Sequence, residues 1–163
     1  MNEKIGALVK TSLVDFPGTV CAAVFLKHCN LRCPYCYNAQ LVTETQDDTG
    51  LFTLDEIKNH LIKRKNVLDG LVISGGEALL NPHTKELILF AKKLNYKIKL
   101  DTNGTLPELL QQITENPQTR PDFIAMDIKT SPQKYRGLLN SSNISDKTDY
   151  EQALKKSIKI LKE

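Results

Sequence analysis

Short apolar segments alternate regularly with amphipathic helical patterns along the chain. Strands are predicted at residues 19–26, 70–74, 96–101 and 122–127. Helices are predicted from a capping box of Thr53 with Glu56, from Asn81 as N-cap, over 107–115, and from Thr148 with Glu151. Strands that are separated by helices pair in parallel. The chain is therefore predicted to be an α/β protein with about four parallel strands and an extra edge strand near residues 7–10.

The chain length limits how such units can be arranged. A closed barrel of eight βα units needs about 250 residues, whereas this chain has 163. We therefore expect a partial, open βα barrel formed by a single domain over residues 1–163.

Glycine and polar residues follow each predicted strand. The first strand leads into a cysteine-rich loop, and the others end at Ser74-Gly75-Gly76-Glu77, Asp101-Thr102-Asn103-Gly104 and Asp127-Ile128-Lys129. Each segment taken alone is also ordinary turn chemistry. Active sites of open α/β sheets lie beyond the carboxyl ends of the strands. The four segments together therefore predict a functional site at this edge.

Three of the four cysteines lie within eight residues, as Cys29, Cys33 and Cys36. Clustered cysteines without a secretion signal indicate metal or redox chemistry rather than disulfides. Cys21 lies inside an apolar segment and is interpreted as a core thiol. Two kinds of site stay open at this point. One is a zinc-binding structural or interaction module, and the other is an iron–sulfur cluster with one iron free of protein ligands.

Charge and hydropathy exclude two classes of partner. The chain has 22 basic and 19 acidic residues, a net charge of +3, which argues against a polybasic nucleic-acid interface. No segment approaches the roughly 18 apolar residues of a membrane span, and the first ten residues do not resemble a signal peptide. We therefore expect a cytoplasmic protein that binds neither nucleic acid nor membrane.

The spacing Cys29-x3-Cys33-x2-Cys36 resembles the signature of the radical S-adenosylmethionine enzymes. The resemblance implies that these three cysteines ligate a 4Fe–4S cluster whose open iron is chelated by S-adenosyl-L-methionine. Tyr35 is at the position that the family places beside the adenine. Gly75, Gly76 and Glu77 resemble the motif that contacts the methionine amino group.

The segment 9–18 and Tyr37-Asn38 narrow the resemblance to activating proteins of glycyl-radical enzymes. Within these, the chain is most similar to activases of anaerobic ribonucleoside-triphosphate reductase, with pyruvate formate-lyase activases and other radical S-adenosylmethionine enzymes as alternatives. The implied reaction is the reductive cleavage of S-adenosylmethionine to a 5′-deoxyadenosyl radical. This radical then generates a glycyl radical on a partner enzyme. A one-electron donor such as flavodoxin or ferredoxin is also implied.

The same resemblance assigns further binding roles. Lys129 would contact the methionine carboxylate. Asp101, Thr102 and Asp127 would hold the ribose end or a nearby monovalent cation. No general acid or base is implied.

The sequence departs from this family in three ways. His28 replaces the glycine that commonly precedes the first cysteine, and Ala78 replaces a proline that commonly follows Glu77. The chain is also shorter than long-form activases. Its length fits either a naturally short activase or a C-terminally truncated one.

Overall fold

The computed structural model describes residues 3–43, 48–139 and 148–162, and its centre is a six-stranded sheet. The strands are β1 (Lys4–Ser12), β2 (Cys21–Leu26), β3 (Leu51–Thr53), β4 (Gly70–Gly75), β5 (Lys97–Thr102) and β6 (Phe123–Met126), in the order β3-β1-β2-β4-β5-β6. The α-helices are α1 (Ala39–Val42), α2 (Leu54–Lys63), α3 (Thr84–Lys93), α4 (Pro107–Glu115) and α5 (Tyr150–Lys162). Two 3-10 helices span Ala78–Leu80 and Pro132–Leu138.

The predicted parallel sheet is confirmed. The strands β2, β4, β5 and β6 are the four predicted strands, and neighbours in this series pair in parallel. Because the sheet runs from β3 to β6 without closing, the fold is an open, partial βα barrel. The carboxyl ends of four strands consequently meet along one edge.

The sheet also has an antiparallel part, which the sequence did not predict beyond an extra edge strand. β1 spans nine residues and lies between β2 and β3, so it is not an edge strand. The edge position belongs to β3, which the sequence did not indicate because three residues are too few to show a period-two pattern.

Helix starts were predicted with mixed accuracy. The capping box of Thr53 and Glu56 opens α2 as expected. By contrast, Asn81 caps the end of the preceding 3-10 helix, and α3 begins only at Thr84. The carboxylate of Asp149 accepts the N–H of Gln152 at the start of α5, so that cap lies one residue after Thr148.

The sequence also predicts polar connections at residues 40–50 and 137–147, and the structure describes part of each. Within the connection 40–50, residues 44–47 lie outside the described residues, and α1 occupies its beginning. Within 137–147, residues 140–147 lie outside them.

Alternation along the strands gives the sheet two apolar faces. The outer face packs against α2, α3 and α4 through the main core, which includes Val24, Leu71, Ile73, Leu87 and Leu100. The inner face holds a smaller group made of Phe16, Cys21, Ala23 and Val72, with Cys21 fully buried. The ring of Phe16 also contacts Phe123 of β6, with 6.1 Å between ring centroids.

A separate group of side chains lies beneath the loop that carries Cys29, Cys33 and Cys36, which we call the cysteine loop. We call this group the loop-support core, and it consists of Leu31, Tyr135, Leu138, Tyr150 and Leu154. Cys29 and Cys33 pack against it. Tyr135 and Tyr150 stack with 5.5 Å between centroids and 22° between planes, which joins the 3-10 helix Pro132–Leu138 to α5.

Across the described residues, no helix combines the length and the apolar character that a membrane span requires.

Candidate radical S-adenosylmethionine site

The ends of the parallel strands enclose a cavity of about 230 Å³. Eight of the eleven predicted site residues line it: Cys29, Cys33, Tyr35, Cys36, Gly75, Gly76, Asp127 and Lys129. Asn103 also lines it, whereas Glu77, Asp101 and Thr102 do not. A larger cavity of about 420 Å³ lies between α4, β6 and α5 and contains none of the predicted site residues. The cysteine cavity is therefore the place where the predicted motifs converge.

The cysteine loop follows directly from β2 and is fixed by short-range hydrogen bonds. All three of its thiols are free and partly buried. The Leu31 N–H donates to Cys29 Sγ at 3.4 Å, and the Cys36 N–H donates to the Cys33 carbonyl at 3.1 Å. Burial raises the pKa of the Cys29 thiol, although the Leu31 N–H opposes this shift. Metal binding would have to displace that proton.

The loop thiols bear on the two kinds of metal site that the sequence left open. Among residues 3–43, 48–139 and 148–162, no three His, Cys, Asp or Glu side chains come close enough together to hold a single metal ion. The three loop thiols line one cavity. An iron–sulfur cluster takes its cysteine ligands on separate irons, so ligands spread around a cavity are compatible with it.

Gly75 and Gly76 bring the end of β4 against the start of the cysteine loop. Gly75 has φ of 118°, a conformation that favours glycine. A Cβ on Gly76 would lie 2.0 Å from the His28 carbonyl oxygen. The Glu77 N–H donates to the same oxygen at 2.8 Å. Glycine at these positions therefore sets the spacing between two walls of the cavity.

Glu77 is buried behind the cavity wall, with 0% of its surface exposed. Its Oε1 accepts the Leu79 N–H and the Thr102 hydroxyl, and its Oε2 accepts the Asn103 N–H at 2.7 Å. Burial raises the pKa of Glu77, against the opposing effect of these hydrogen bonds. The carboxylate thus ties the end of β4 to the end of β5, and its contact with a methionine amino group stays a prediction.

Asp101 and Thr102 are likewise engaged within the protein. Asp101 forms an ion pair with Lys99 at 2.5 Å on the inner face of β5, and the Thr102 hydroxyl donates to Glu77. Their predicted roles at a ribose or monovalent cation are untested. The sequence did not indicate Lys99 as the ion-pair partner of Asp101, because alternating lysines on a strand usually indicate a solvated face.

Lys129 carries the cationic side of the cavity. Its Nζ lies 2.7 Å from Asp127 Oδ2. Burial alone would lower the pKa of Lys129, but the carboxylate of Asp127 raises it above its usual value. The backbone of Lys129 is fixed at both ends, because Tyr35 Oη donates to its carbonyl at 2.6 Å and its N–H donates to Tyr135 Oη at 2.8 Å.

The sequence assigned no individual role to three residues beside the cysteine loop: Asn30, Asn103 and Thr105. They form a hydrogen-bonded group between the cysteine loop and the turn after β5. Asn103 was visible only as part of a turn, and Asn30 and Thr105 gave no signal, because their pairing depends on how the strands meet.

Comparison with known proteins agrees with this geometry. The model of the family "Radical SAM superfamily" matches residues 24–163, and the chain belongs to that superfamily. Membership implies S-adenosylmethionine and an iron–sulfur cluster as its cofactors.

Individual relatives are similar over most of this chain. A Methanocaldococcus jannaschii protein, MJ1227, whose name assigns it provisionally to the glycyl-radical enzyme activating enzymes, is 32% identical over 99% of this chain and 62% of its own length. The pyruvate formate-lyase-activating enzyme of Clostridium pasteurianum is 29% identical over 77% of this chain and 52% of its own length. The chain thus spans between half and two thirds of these relatives.

Among solved structures, QueE from Escherichia coli resembles the chain with a TM-score of 0.50 and 17% identity, over 64% of this chain and 54% of that one. This similarity supports the partial-barrel fold.

Proposed function

We propose that the chain is a radical S-adenosylmethionine activase that generates a glycyl radical on a partner enzyme. In this proposal residues 1–163 form one domain, and Cys29, Cys33 and Cys36 hold a 4Fe–4S cluster. The observation that carries the proposal is the shared cavity of these three thiols at the ends of β4, β5 and β6. When bound, such a cluster supplies the electron for reductive cleavage of S-adenosylmethionine.

The residues of the chain itself bind and orient the cosubstrate. Gly75 and Gly76 line the cavity, where their backbone groups are proposed to contact the methionine amino group. The ammonium of Lys129 complements the methionine carboxylate. Tyr35, which is anchored on the Lys129 carbonyl, offers an aromatic face to the adenine.

Glu77, Asp101, Thr102 and Asp127 complete the proposed binding groups. Glu77 and Thr102 act from behind the cavity wall, where their mutual hydrogen bond fixes the ends of β4 and β5. Asp127 pairs with Lys129 and orients its ammonium. Asp101 places a carboxylate on the inner face of β5, where the ribose end or a monovalent cation is proposed.

The proposed partner is a glycyl-radical enzyme, and the first candidate is anaerobic ribonucleoside-triphosphate reductase. Segment 9–18 and the Tyr37-Asn38 pair resemble the activating proteins of glycyl-radical enzymes, and within that group the chain is most similar to activases of this reductase. Pyruvate formate-lyase is the alternative, because its activating enzyme from Clostridium pasteurianum matches 77% of this chain. Flavodoxin or ferredoxin is the proposed electron donor.

The partner is tested by anaerobic incubation of the reconstituted chain with reductant, S-adenosylmethionine and each candidate enzyme in turn. The measurement is the electron paramagnetic resonance signal of a protein glycyl radical. We expect the signal with anaerobic ribonucleoside-triphosphate reductase, and the Cys33→Ala variant should produce none. A signal only with pyruvate formate-lyase would transfer the assignment to that enzyme. Cleavage of S-adenosylmethionine with no radical on either enzyme would contradict both partners.

A further inference from the structure

Three polar side chains close a ring of hydrogen bonds between the cysteine loop and the turn after β5. Asn103 Nδ2 donates to Asn30 Oδ1 at 2.9 Å, Asn30 Nδ2 donates to Thr105 Oγ1 at 2.8 Å, and the Thr105 hydroxyl donates to Asn103 Oδ1 at 2.6 Å. Asn103 and Thr105 are each 4% exposed. Water therefore competes little for these bonds, and the ring holds its members in one arrangement.

The orientation of the Asn103 amide follows from its partners. The backbone N–H of Thr105 donates to Asn103 Oδ1 at 3.0 Å. Since a backbone N–H can only donate, the amide atom at that position must be the oxygen. The NH₂ group consequently faces the opposite side, toward the cysteine loop. The Asn103 backbone is held as well, because its N–H donates to the buried Glu77.

The second N–H of Asn103 is directed at a predicted cluster ligand. Asn103 Nδ2 lies 3.9 Å from Cys29 Sγ, within hydrogen-bond reach of sulfur. Together with the Leu31 N–H at 3.4 Å, it gives this sulfur two donors. A cysteine that ligates iron is a thiolate and can only accept, so both donors remain suited to the ligated state.

We infer that Asn103 is a positioning residue that acts on the cluster through Cys29. Its N–H orients the sulfur and draws negative charge from it. Hydrogen bonds to cluster sulfurs favour the reduced state and raise the reduction potential. Asn103 therefore makes the cluster easier to reduce by the electron donor. This inference rests on the proposed function, because it requires Cys29 to be a ligand.

The test compares cluster reduction potentials of three variants with that of the reconstituted 163-residue chain. The potentials are measured by anaerobic redox titration followed by electron paramagnetic resonance, without S-adenosylmethionine. Asn103→Leu removes the N–H at nearly constant volume and should shift the potential to a more negative value. Thr105→Val is the matched control. It breaks the ring but leaves the Asn103 N–H on the sulfur, so its potential should stay close to that of the wild type.

A further variant covers the case in which Asn103→Leu does not fold. Asn103→Ala removes the N–H donors and leaves a smaller, uncharged side chain, so its potential should also become more negative. An unchanged potential in either Asn103 variant would overturn the inference. Equal shifts in Asn103→Leu and Thr105→Val would also overturn it, since they would indicate a general loosening of the loop. A wild-type chain that assembles no cluster would overturn the proposed function itself.

Discussion

His28 has a backbone conformation that side chains rarely adopt, at the entrance to the cysteine loop. Its φ is 73°, in the left-handed region where glycine is favoured. The resemblance to the activases places a glycine at this position, and the structure supplies the reason for that preference. The substitution by histidine removes no ligand, but it stores strain beside Cys29.

At the residue scale, His28→Gly should stabilise the protein. Removing the side chain from a left-handed conformation should stabilise the folded state by about 1–2 kcal/mol. The greater conformational freedom of glycine in the unfolded chain should offset about 0.5–1 kcal/mol of this gain. We expect the free energy of unfolding, measured by urea denaturation, to rise by about 1 kcal/mol. The control is His83→Gly, because His83 has φ of −85° and should lose stability on the same change. An equal loss in both variants would contradict the strain at His28.

At the element scale, Glu56 joins β1 to the first turn of α2. Its Oε2 receives Lys4 Nζ at 2.8 Å and the Thr53 N–H at 2.7 Å. The hydrogen bond from Lys4, together with that from Thr53, lowers the pKa of Glu56 from 4.5 to about 2. Because the unfolded chain binds the Glu56 proton more tightly, the folded state is fully stabilised at a pH above the usual pKa of glutamate. This stabilisation is lost as the pH falls through the lowered pKa of the folded state.

Glu56→Gln should therefore lower the free energy of unfolding near neutral pH, and its difference from the wild type should shrink toward pH of about 2. Urea unfolding over a series of pH values measures this difference. The matched variant Lys4→Met should weaken the pH dependence of the wild type in the same window. A Glu56→Gln difference that is constant with pH would show that the ion pair does not act on folding.

The alternation of strands and helices was enough to predict the parallel sheet and the edge at which the site lies. What the sequence did not reveal depends on contacts between distant segments. The sequence predicted Glu77 as a contact of the methionine amino group, but it did not reveal the hydrogen bonds that Glu77 accepts from Thr102 and Asn103, which lie 25 and 26 residues away. The ring of Asn30, Thr105 and Asn103 depends on the same long-range approach, which no local spacing records.

At the scale of the whole molecule, the C-terminal helix supports a loop that lies more than a hundred residues earlier. Leu154 of α5 belongs to the loop-support core, against which Cys29 and Cys33 pack. Ser157 Oγ, on the same helix, donates to the Gly104 carbonyl at 2.8 Å. The cysteine loop is therefore held from the far end of the described chain as well as by β2.

Leu154→Ala should separate loop support from general stability. Deleting a buried leucine side chain costs about 2–5 kcal/mol, and Leu87→Ala in the main core should cost a similar amount. Only Leu154→Ala should also lower the iron bound per folded chain and speed alkylation of Cys29 in the cluster-free protein. Equal iron content and alkylation rates in the two variants would contradict a specific role of α5 at the loop.

The central claim is that Cys29, Cys33 and Cys36 together form a radical S-adenosylmethionine site. The most direct measurement is the release of 5′-deoxyadenosine from S-adenosylmethionine by the anaerobically reconstituted, reduced chain. We predict release by the wild type and by Cys21→Ala, whose thiol is fully buried away from the cavity. We predict no release by the alanine variant of any loop cysteine. Full release by one of those three variants, or a colourless wild type that binds zinc and releases nothing, would contradict the claim.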